Sequence, residues 1–488
     1  MEKAGISIRK FIAGIVIAIL ASTAISVIIS TRLLTGGLYA PNYDSGWVDI
    51  SNKTGKYFNI THNMNSEDGI VDIRGKTTAS GGANQRYIGL ISGALWTRTY
   101  GGTGDDFVNS VVRADDGGYA LAGGTWSYGG PTEAFWLVKT DSAGNQLWNK
   151  TYGGDNDECY SMVQTSDGGY ALAGRTHLGN SDFWLVKTDS TGYMEWNKFY
   201  GGTGSDEANS LIQTSDGGYA LAGQTVSYGA NYIAIDYYLV KTDASGNMQW
   251  NKTYGGGNWD RARSMIQTSD GGYALAGDTG FYSADDSDIW LVKTDSFGNQ
   301  LWNRTYGGAG DDECSSIVQT QDGGYAFAGF TYSSGAGLAD IWLVKTGSSG
   351  AAQWNKTYGG THYDGSYCVL QTPDGGYALA GDTESFGAGD GDFWLVKTDS
   401  TGNMQWNKTY GGTGDERAKS MVQIGDGGYA FVGYTDSFGA GSGDFWLVKT
   451  EVESGLTWTD SAPNTITLYR GATDVNWNYV RVRIWKID

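Results

Sequence analysis

Cysteine and histidine are nearly absent: three of each stand among 488 residues. Cys159, Cys314 and Cys368 are too few for a disulfide framework, and their spacing matches no metal motif. Cys159 and Cys314 stand where other segments of the chain carry Ala208, Ala262 and Ala418, and Cys368 where others carry Ser161 or Ser210. They read as small packing residues. The histidines, His62, His177 and His362, are each alone in their segments. There is no Ser-His-Asp arrangement with recognisable spacing, no glycine loop opening a helix and no metal signature. Positive charge is scarce too: 33 Lys and Arg against 53 Asp and Glu leave a net charge of −20. Such a chain has no electrostatic footprint for nucleic acid, and it repels anionic surfaces at low salt.

Only one long apolar run occurs. Phe11 to Ile29 is uncharged and mostly apolar, and as a helix it spans ~28 Å, the hydrocarbon thickness of a bilayer. Lys3, Arg9 and Lys10 precede it. The positive-inside preference predicts a cytoplasmic stub at 1–10, a transmembrane signal anchor at 11–31, a linker at 32–42 and the remaining chain outside, although Arg32 weakens the asymmetry. Two rival readings stay open. One is a cleaved secretory signal, for which Leu38-Tyr39-Ala40 before Pro41 is a poor cleavage site. The other is a leader removed ahead of the helix, since Met1 to Ser7 resembles an archaeal pilin-type leader.

What the chain has in abundance is glycine, tryptophan and repetition. A sentence of the form W-N-K-T-Y-G-G … S-D-G-G-Y-A-L-A-G … D-F-W-L-V-K-T-D-S-x-G-N-x-x-W recurs seven times. The aspartate of D-G-G-Y falls at Asp116, Asp167, Asp216, Asp270, Asp322, Asp374 and Asp426. A period near 50 residues, rich in strand signals and glycine, predicts a radial array of four-stranded blades. In the repeat from Gln249 to Gly298, Asp270-Gly271-Gly272 marks a hairpin. Tyr273 and Leu275 alternate with Ala274 and Ala276, whose small side chains let a neighbouring sheet approach. Ile289 to Val292 is apolar on both faces, as a strand needs when a sheet packs on each side. Two sets of tryptophans, one at the start of each repeat (Trp96 to Trp406) and one in the D-F-W-L-V-K strand, are expected to pack between blades. The fold class is therefore all-β, a seven-bladed propeller over 94–452.

Over residues 94 to 450 these motifs resemble the prokaryotic beta-propeller repeats often called SBBP. That resemblance implies secreted or surface-exposed propellers, mostly without assigned enzymatic activity. The D-x-x-x-G-N-x-x-W turn is also similar to the tryptophan-docking turn of quinoprotein dehydrogenases, which have eight blades and a catalytic interior. Seven full repeats argue against that second likeness.

Residues 43–93 and 453–488 lack the repeat but carry strand patterns, as in Tyr479 to Trp485, where Val480, Val482 and Ile484 alternate with Arg481 and Arg483. Each flank alone is too short to bury a stable core. A closed ring brings its ends together, so the flanks are expected to form one small β-sandwich into which the propeller is inserted. The pattern is similar to H-type lectin-like modules. A competing detail is that Trp458 falls 52 residues after Trp406, on the repeat grid, which would make Glu451 to Trp458 a last propeller turn.

Candidate sites follow from where repeats differ. Aromatic and histidine side chains in the variable loops, Trp126, His177, Trp259, His362 and Tyr363, are the candidate ligand-binding residues, suited to stacking on a sugar or peptide. Acidic loops after each Y-G-G are expected to form a rim, with Asp105, Asp106, Asp311, Asp312 and Glu313 as calcium candidates; no other cofactor is expected. Seven Asn-x-Ser/Thr sequons agree with an outside location: Asn52, Asn59, Asn149, Asn251, Asn303, Asn355 and Asn407. No catalytic residue is assigned. The sequence reads as a membrane-anchored extracellular binding or adhesion protein for a glycan or envelope partner. The alternatives are a glycan-acting hydrolase or lyase using two rim carboxylates, and a structural envelope or filament subunit.

Overall fold

The structure, a computed structural model, describes residues 94–450 except 155, 178–180, 230–233, 281–286, 425–426 and 442, with side chains from Trp96 onward. Outside that span it describes only strand backbones between 43 and 90 and between 456 and 486. The expected anchor at 11–31 and Asn52 lie outside the described residues. Among the described residues, no helix is long and apolar enough to cross a membrane. Two compact units are found, Ala94–Glu453 and a second drawn from both flanks.

The first unit is a seven-bladed propeller of four-stranded antiparallel blades. Blade one runs Asp106–Arg113, Tyr119–Thr125, Ala134–Thr140 and Gln146–Tyr152, from the inner strand to the outer. Each inner strand lies against the inner strands of both neighbouring blades, the last (Glu416–Gln423) against the first, so the ring is closed around a central channel. The W-N-K-T-Y strand that opens the repeat in sequence is therefore the outer strand of the preceding blade. Blade seven has no such strand of its own. It is completed by Ala94–Tyr100, which pairs with Asp444–Thr450 in the register used elsewhere, Lys449 opposite Trp96 as Lys187 is opposite Trp196.

That strand occupies the grid position of Trp458. Leu456–Ala462 instead pairs with Thr465–Arg470 in the second unit, so Trp458 is not a propeller residue. The physical reason is that Asp444–Thr450 has one free edge, and Ala94–Tyr100 fills it.

Packing follows the alternation read from sequence. In blade one Ala120 and Ala122 lie at 0 % exposure against Tyr170, Leu172 and Trp184 of blade two, so the cores lie between blades rather than within them. Cys159 and Cys314 are buried in two of these cores. Third strands such as Ala134–Thr140 and Asp392–Thr398 are buried at every residue, as a sheet on each side demands. From Trp96 to Trp354 each outer-strand tryptophan sits under a turn of the next blade, Asp-x-x-Gly in all but Gly347–Gly350. A Cβ on Gly144, already at φ +76°, would lie 2.6 Å from the Trp96 ring, so only glycine fits. The outer-strand tyrosine hydroxyl donates to the same turn, Tyr100 to the Gly144 carbonyl at 2.6 Å.

A serine seam joins the inner strands. Ser110 Oγ accepts the Met162 N–H at 3.2 Å, Ser161 that of Leu211 at 3.1 Å, and Ser420 that of Val111 at 3.3 Å, which closes the circle. Between blades six and seven the position holds Cys368, whose thiol faces the Met421 carbonyl at 3.8 Å. Sulfur is a weak acceptor. Cys368→Ser is expected to restore the seam and raise stability by about 1 kcal/mol, read as a higher denaturant midpoint at unchanged slope. A midpoint that does not rise would show that the seam contributes nothing there.

Two carboxylate sets with opposite shifts make stability depend on pH. The D-G-G-Y aspartates pair with the buried lysine of V-K-T, as Asp167 does with Lys187 at 2.8 Å. Burial raises Asp167, Asp216, Asp270 and Asp322, but the lysine, a threonine hydroxyl and a glycine N–H outweigh it and hold them at about 2. Stability from these groups is present above the ordinary aspartate value and is lost as pH falls toward 2. Asp182, Asp392 and Asp444 are shifted the other way by burial and by a neighbouring Asp206, Glu416 or Asp106. They bind protons more tightly when folded, so they add stability as pH falls toward the ordinary value. The melting temperature is expected to rise on acidification from pH 7, peak near pH ~4 and fall below it. A steady decline from pH 7 to 4 would contradict this.

In the second unit the flanks share sheets. Gly69–Lys76 pairs antiparallel with Tyr479–Lys486 over eight residues, Ile73 opposite Val482, in a five-stranded sheet. Lys56–Thr61 pairs with Thr465–Arg470 in a three-stranded one. The face-to-face packing of a sandwich depends on side chains that lie outside the described residues.

Candidate functional site

The blades share a framework and differ where that framework meets the channel. On each inner strand the first and third positions are buried in the inter-blade core, as in Asp206 and Ala208 at 0 % exposure. The alternating, half-buried positions turn toward the channel. At the second position stand Phe107, Glu158, Glu207, Arg261, Glu313, Gly365 and Arg417. At the fourth stand Asn109, Tyr160, Asn209, Arg263, Ser315, Tyr367 and Lys419. Opposite them the variable residue of A-L-A-G-x-T contributes Arg175, Asp278, Phe330, Asp382 and Tyr434. Seven copies of one scaffold thus collect chemically different side chains at one place.

These side chains form two charged groups. On blades two and three, Arg175 bridges Glu158 at 2.7 Å and Glu207 at 2.9 Å, and the Tyr160 hydroxyl donates to Glu158. Burial, followed by the nearby Glu158, pushes Glu133 up to about 7. On blades four to seven, Arg263 pairs with Asp278 at 3.0 Å and Glu313 at 3.5 Å. Arg417 reaches Asp415 at 3.2 Å and Asp382 at 3.8 Å. The Lys419 ammonium stands 3.7 Å over the Tyr367 ring. Burial raises Asp382 to about 7 although Arg417 and Lys419 pull it down, and burial lowers Lys419 to about 8.

The residues expected from sequence are distributed around this region. Trp259 and Tyr363 occupy the same position, immediately before the buried acidic residue of the inner strand, as do Asp105 and Asp311. The Trp259 ring has the Arg261 guanidinium 5.2 Å from its centre, and Tyr363 packs 5.6 Å from Phe330. Trp126 and His177 lie on the next loop out. Trp126 is 44 % exposed and its N–H donates to the Asp105 carbonyl; the exposed His177 donates its N–H to Asp157. His362 is exposed and its N–H is held by Ser385.

Asp106 and Asp312, expected on an acidic rim, are instead buried at 0 % exposure. Asp106 accepts from Ser127 at 2.8 Å, from the Gly102 N–H at 2.9 Å and from Thr125. These carboxylates hold the Y-G-G turn against the next loop, which leaves the preceding residue, not the pair, at the surface. Glu313 is committed to Arg263. Among the described residues, no group of three or more His, Cys, Asp or Glu is placed to hold a metal ion. The sequons at Asn251, Asn303 and Asn355 are exposed on outer strands, and Asn407 accepts from Trp394 at 3.2 Å. The side chains of Asn59 and its neighbours lie outside the described residues.

Sequence reasoning missed Arg263, Tyr367, Asp382, Arg417 and Lys419. Their signal was present as non-matching columns inside otherwise repeated strands, D-x-A-x-S and A-L-A-G-x-T. Repeats tend to be aligned for what they share, and these columns look like noise until the strands are placed around an axis.

No family model matches the chain, and no curated protein matches it. Among solved structures it is similar to Sqt1 from Chaetomium thermophilum, at 11% identity, a TM-score of 0.43 and coverage of 81% of this chain and 99% of that one. It is also similar to the Pan2 WD40 domain of Neurospora crassa, at 10% identity, a TM-score of 0.46 and coverage of 72% and 90%. Puromycin hydrolase matches at 14% identity and a TM-score of 0.43, over 68% of this chain and 50% of that one. The chain is a seven-bladed β-propeller on its own strand pairing, an architecture that commonly serves binding.

Proposed function

We propose that this propeller is a non-enzymatic binding protein, anchored in the membrane through residues 11–31 with its bulk outside the cell, for a glycan or envelope partner. The observation that supports this reading is that the channel-facing columns differ from blade to blade, as the variable loops do, while the packing framework repeats. A scaffold under selection only for shape would have no reason to collect Arg, Lys, Asp and Tyr in those columns. Half-buried aromatics, Trp259 beside the Arg261 charge and Tyr363 beside Phe330, suit a sugar ring with polar edges. The net charge of −20 keeps polyanions such as nucleic acid away.

The test uses the full chain in lipid nanodiscs on a broad glycan array, with and without calcium. Binding lost on Trp259→Ala or Tyr363→Ala, but kept on Phe297→Ala in an exposed turn before an outer strand, is the expected result. A blank array in both conditions would remove the glycan partner. Resistance of the membrane-bound chain to carbonate extraction tests the anchor.

One observation favours the hydrolase alternative: Asp382 is raised to about 7, as a general acid would be, and lies in one arginine-bridged group with Asp415. Sugar fragments released from an array ligand, and their absence with Asp382→Asn, would establish it.

A further inference from the structure

Lys419 differs from the other channel cations. Arg263 is matched by Asp278 and Glu313, and Arg417 by Asp415 and Asp382. Among the described residues, Lys419 has no carboxylate within ion-pair distance; its ammonium lies over the Tyr367 ring at 3.7 Å. It is also held from both sides. Ala418 before it is buried in the core between blades six and seven, and Ser420 after it belongs to the seam. Arg263 holds the equivalent inner-strand position on blade four, three blades away around the ring.

A half-buried ammonium without a direct ion pair is costly, since Asp382 and Asp415 act on it only from beyond ion-pair distance, and a ligand that supplies one negative charge at contact lowers that cost. The local balance limits the charge. Four carboxylates, Asp278, Glu313, Asp382 and Asp415, already surround three arginines, Arg261, Arg263 and Arg417. A dianion would meet their repulsion, and a neutral ligand would leave Lys419 without an ion pair. Flat aromatic surfaces stand beside two of the cations, Tyr367 at Lys419 and Trp259 at Arg261. Together a cation that makes no ion pair and neighbouring aromatic rings fit a pyranose that carries a carboxylate.

We infer that the channel binds the carboxylate of an acidic sugar, with Lys419 as its charge partner. This rests on the glycan-binding reading above and narrows it to one class. Burial raises Asp382, which favours its protonated form beside such a ligand.

The experiment is calorimetric titration of the full chain in nanodiscs with oligogalacturonate and with its methyl ester, which keeps the ring and removes the charge. The acid is expected to bind at least about 10-fold more tightly than the ester. Lys419→Met should weaken the acid by about 10- to 100-fold and leave the ester unchanged, and Lys419→Arg should retain most of the acid affinity. Equal binding of acid and ester, or an undiminished Lys419→Met, overturns the inference while leaving glycan binding standing. Binding of an acidic peptide, but of no oligosaccharide, overturns it in favour of a protein partner. Binding of none of the three, with a blank array, removes both this inference and the glycan reading. The acid-to-ester comparison needs no variant, so it decides the matter even if Lys419→Met fails to fold.

Discussion

Deleting the chain through Tyr100 is expected to abolish cooperative folding of the propeller, although all seven D-G-G-Y segments remain. The deletion removes the fourth strand of blade seven, which pairs with Asp444–Thr450 over its whole length. It removes Tyr100, at 7% exposure, and its hydrogen bond to blade one, and it empties the space under Gly144 where Trp96 sits. Burial of two such aromatics stabilises by ~3–6 kcal/mol, before the strand pairing is counted, against a net stability of only ~5–15 kcal/mol. It also bares the edge of a strand that is apolar on both faces, a template for aggregation. The truncated chain should elute as oligomers and lose its sharp thermal transition. A peptide covering residues 91–102, added in excess, should restore part of it. A monomeric truncated protein with the original melting temperature would mean that the ring does not close through this strand.

Gly223→Ala should cost about 4 kcal/mol or more, an unusually large loss for one methyl group. The inner strand bulges between Ala208 and Ser210, and the bulge brings the Glu207 carbonyl over Gly223. A Cβ there would lie 1.8 Å from that oxygen, and backbone cannot swing aside as a side-chain tip can. Gly217→Ala is the control. Gly217 has φ +83° and nothing within 4 Å of its would-be Cβ, so only the left-handed conformation is strained, for about 1–2 kcal/mol. Thermal unfolding of the two variants should therefore separate by several degrees, with Gly223→Ala lower. Equal losses would show that the bulge yields.

Much of the framework was legible because each blade repeats the same local physics. Ala274 and Ala276 facing one way and Tyr273 and Leu275 the other announced close sheet packing in one strand. Seeing this at seven nearly equal spacings made it architecture. The candidate site was legible only in part. Trp259 and Tyr363 stood out as unusual residues in loops, but Arg263 and Lys419 sit inside regular strands 156 positions apart, where nothing local marks them as parts of one site. Asp106 and Asp312 misled for the opposite reason. An aspartate after Y-G-G looks like a solvated turn until the next loop brings Ser127 or Ser333 onto it.

By itself, the sequence determined the number of blades, their four strands, the alternation that puts cores between them and the glycine turns, because periodicity, side-chain size and φ preference act over a few residues. The tertiary structure alone decided which strands make one blade, that Ala94–Tyr100 closes the ring in place of the Trp458 segment, which carboxylates are buried, and which variable columns face each other. Those depend on contacts between residues more than 300 positions apart, such as the Val111 N–H and Ser420, and a closed ring is what brings them within reach.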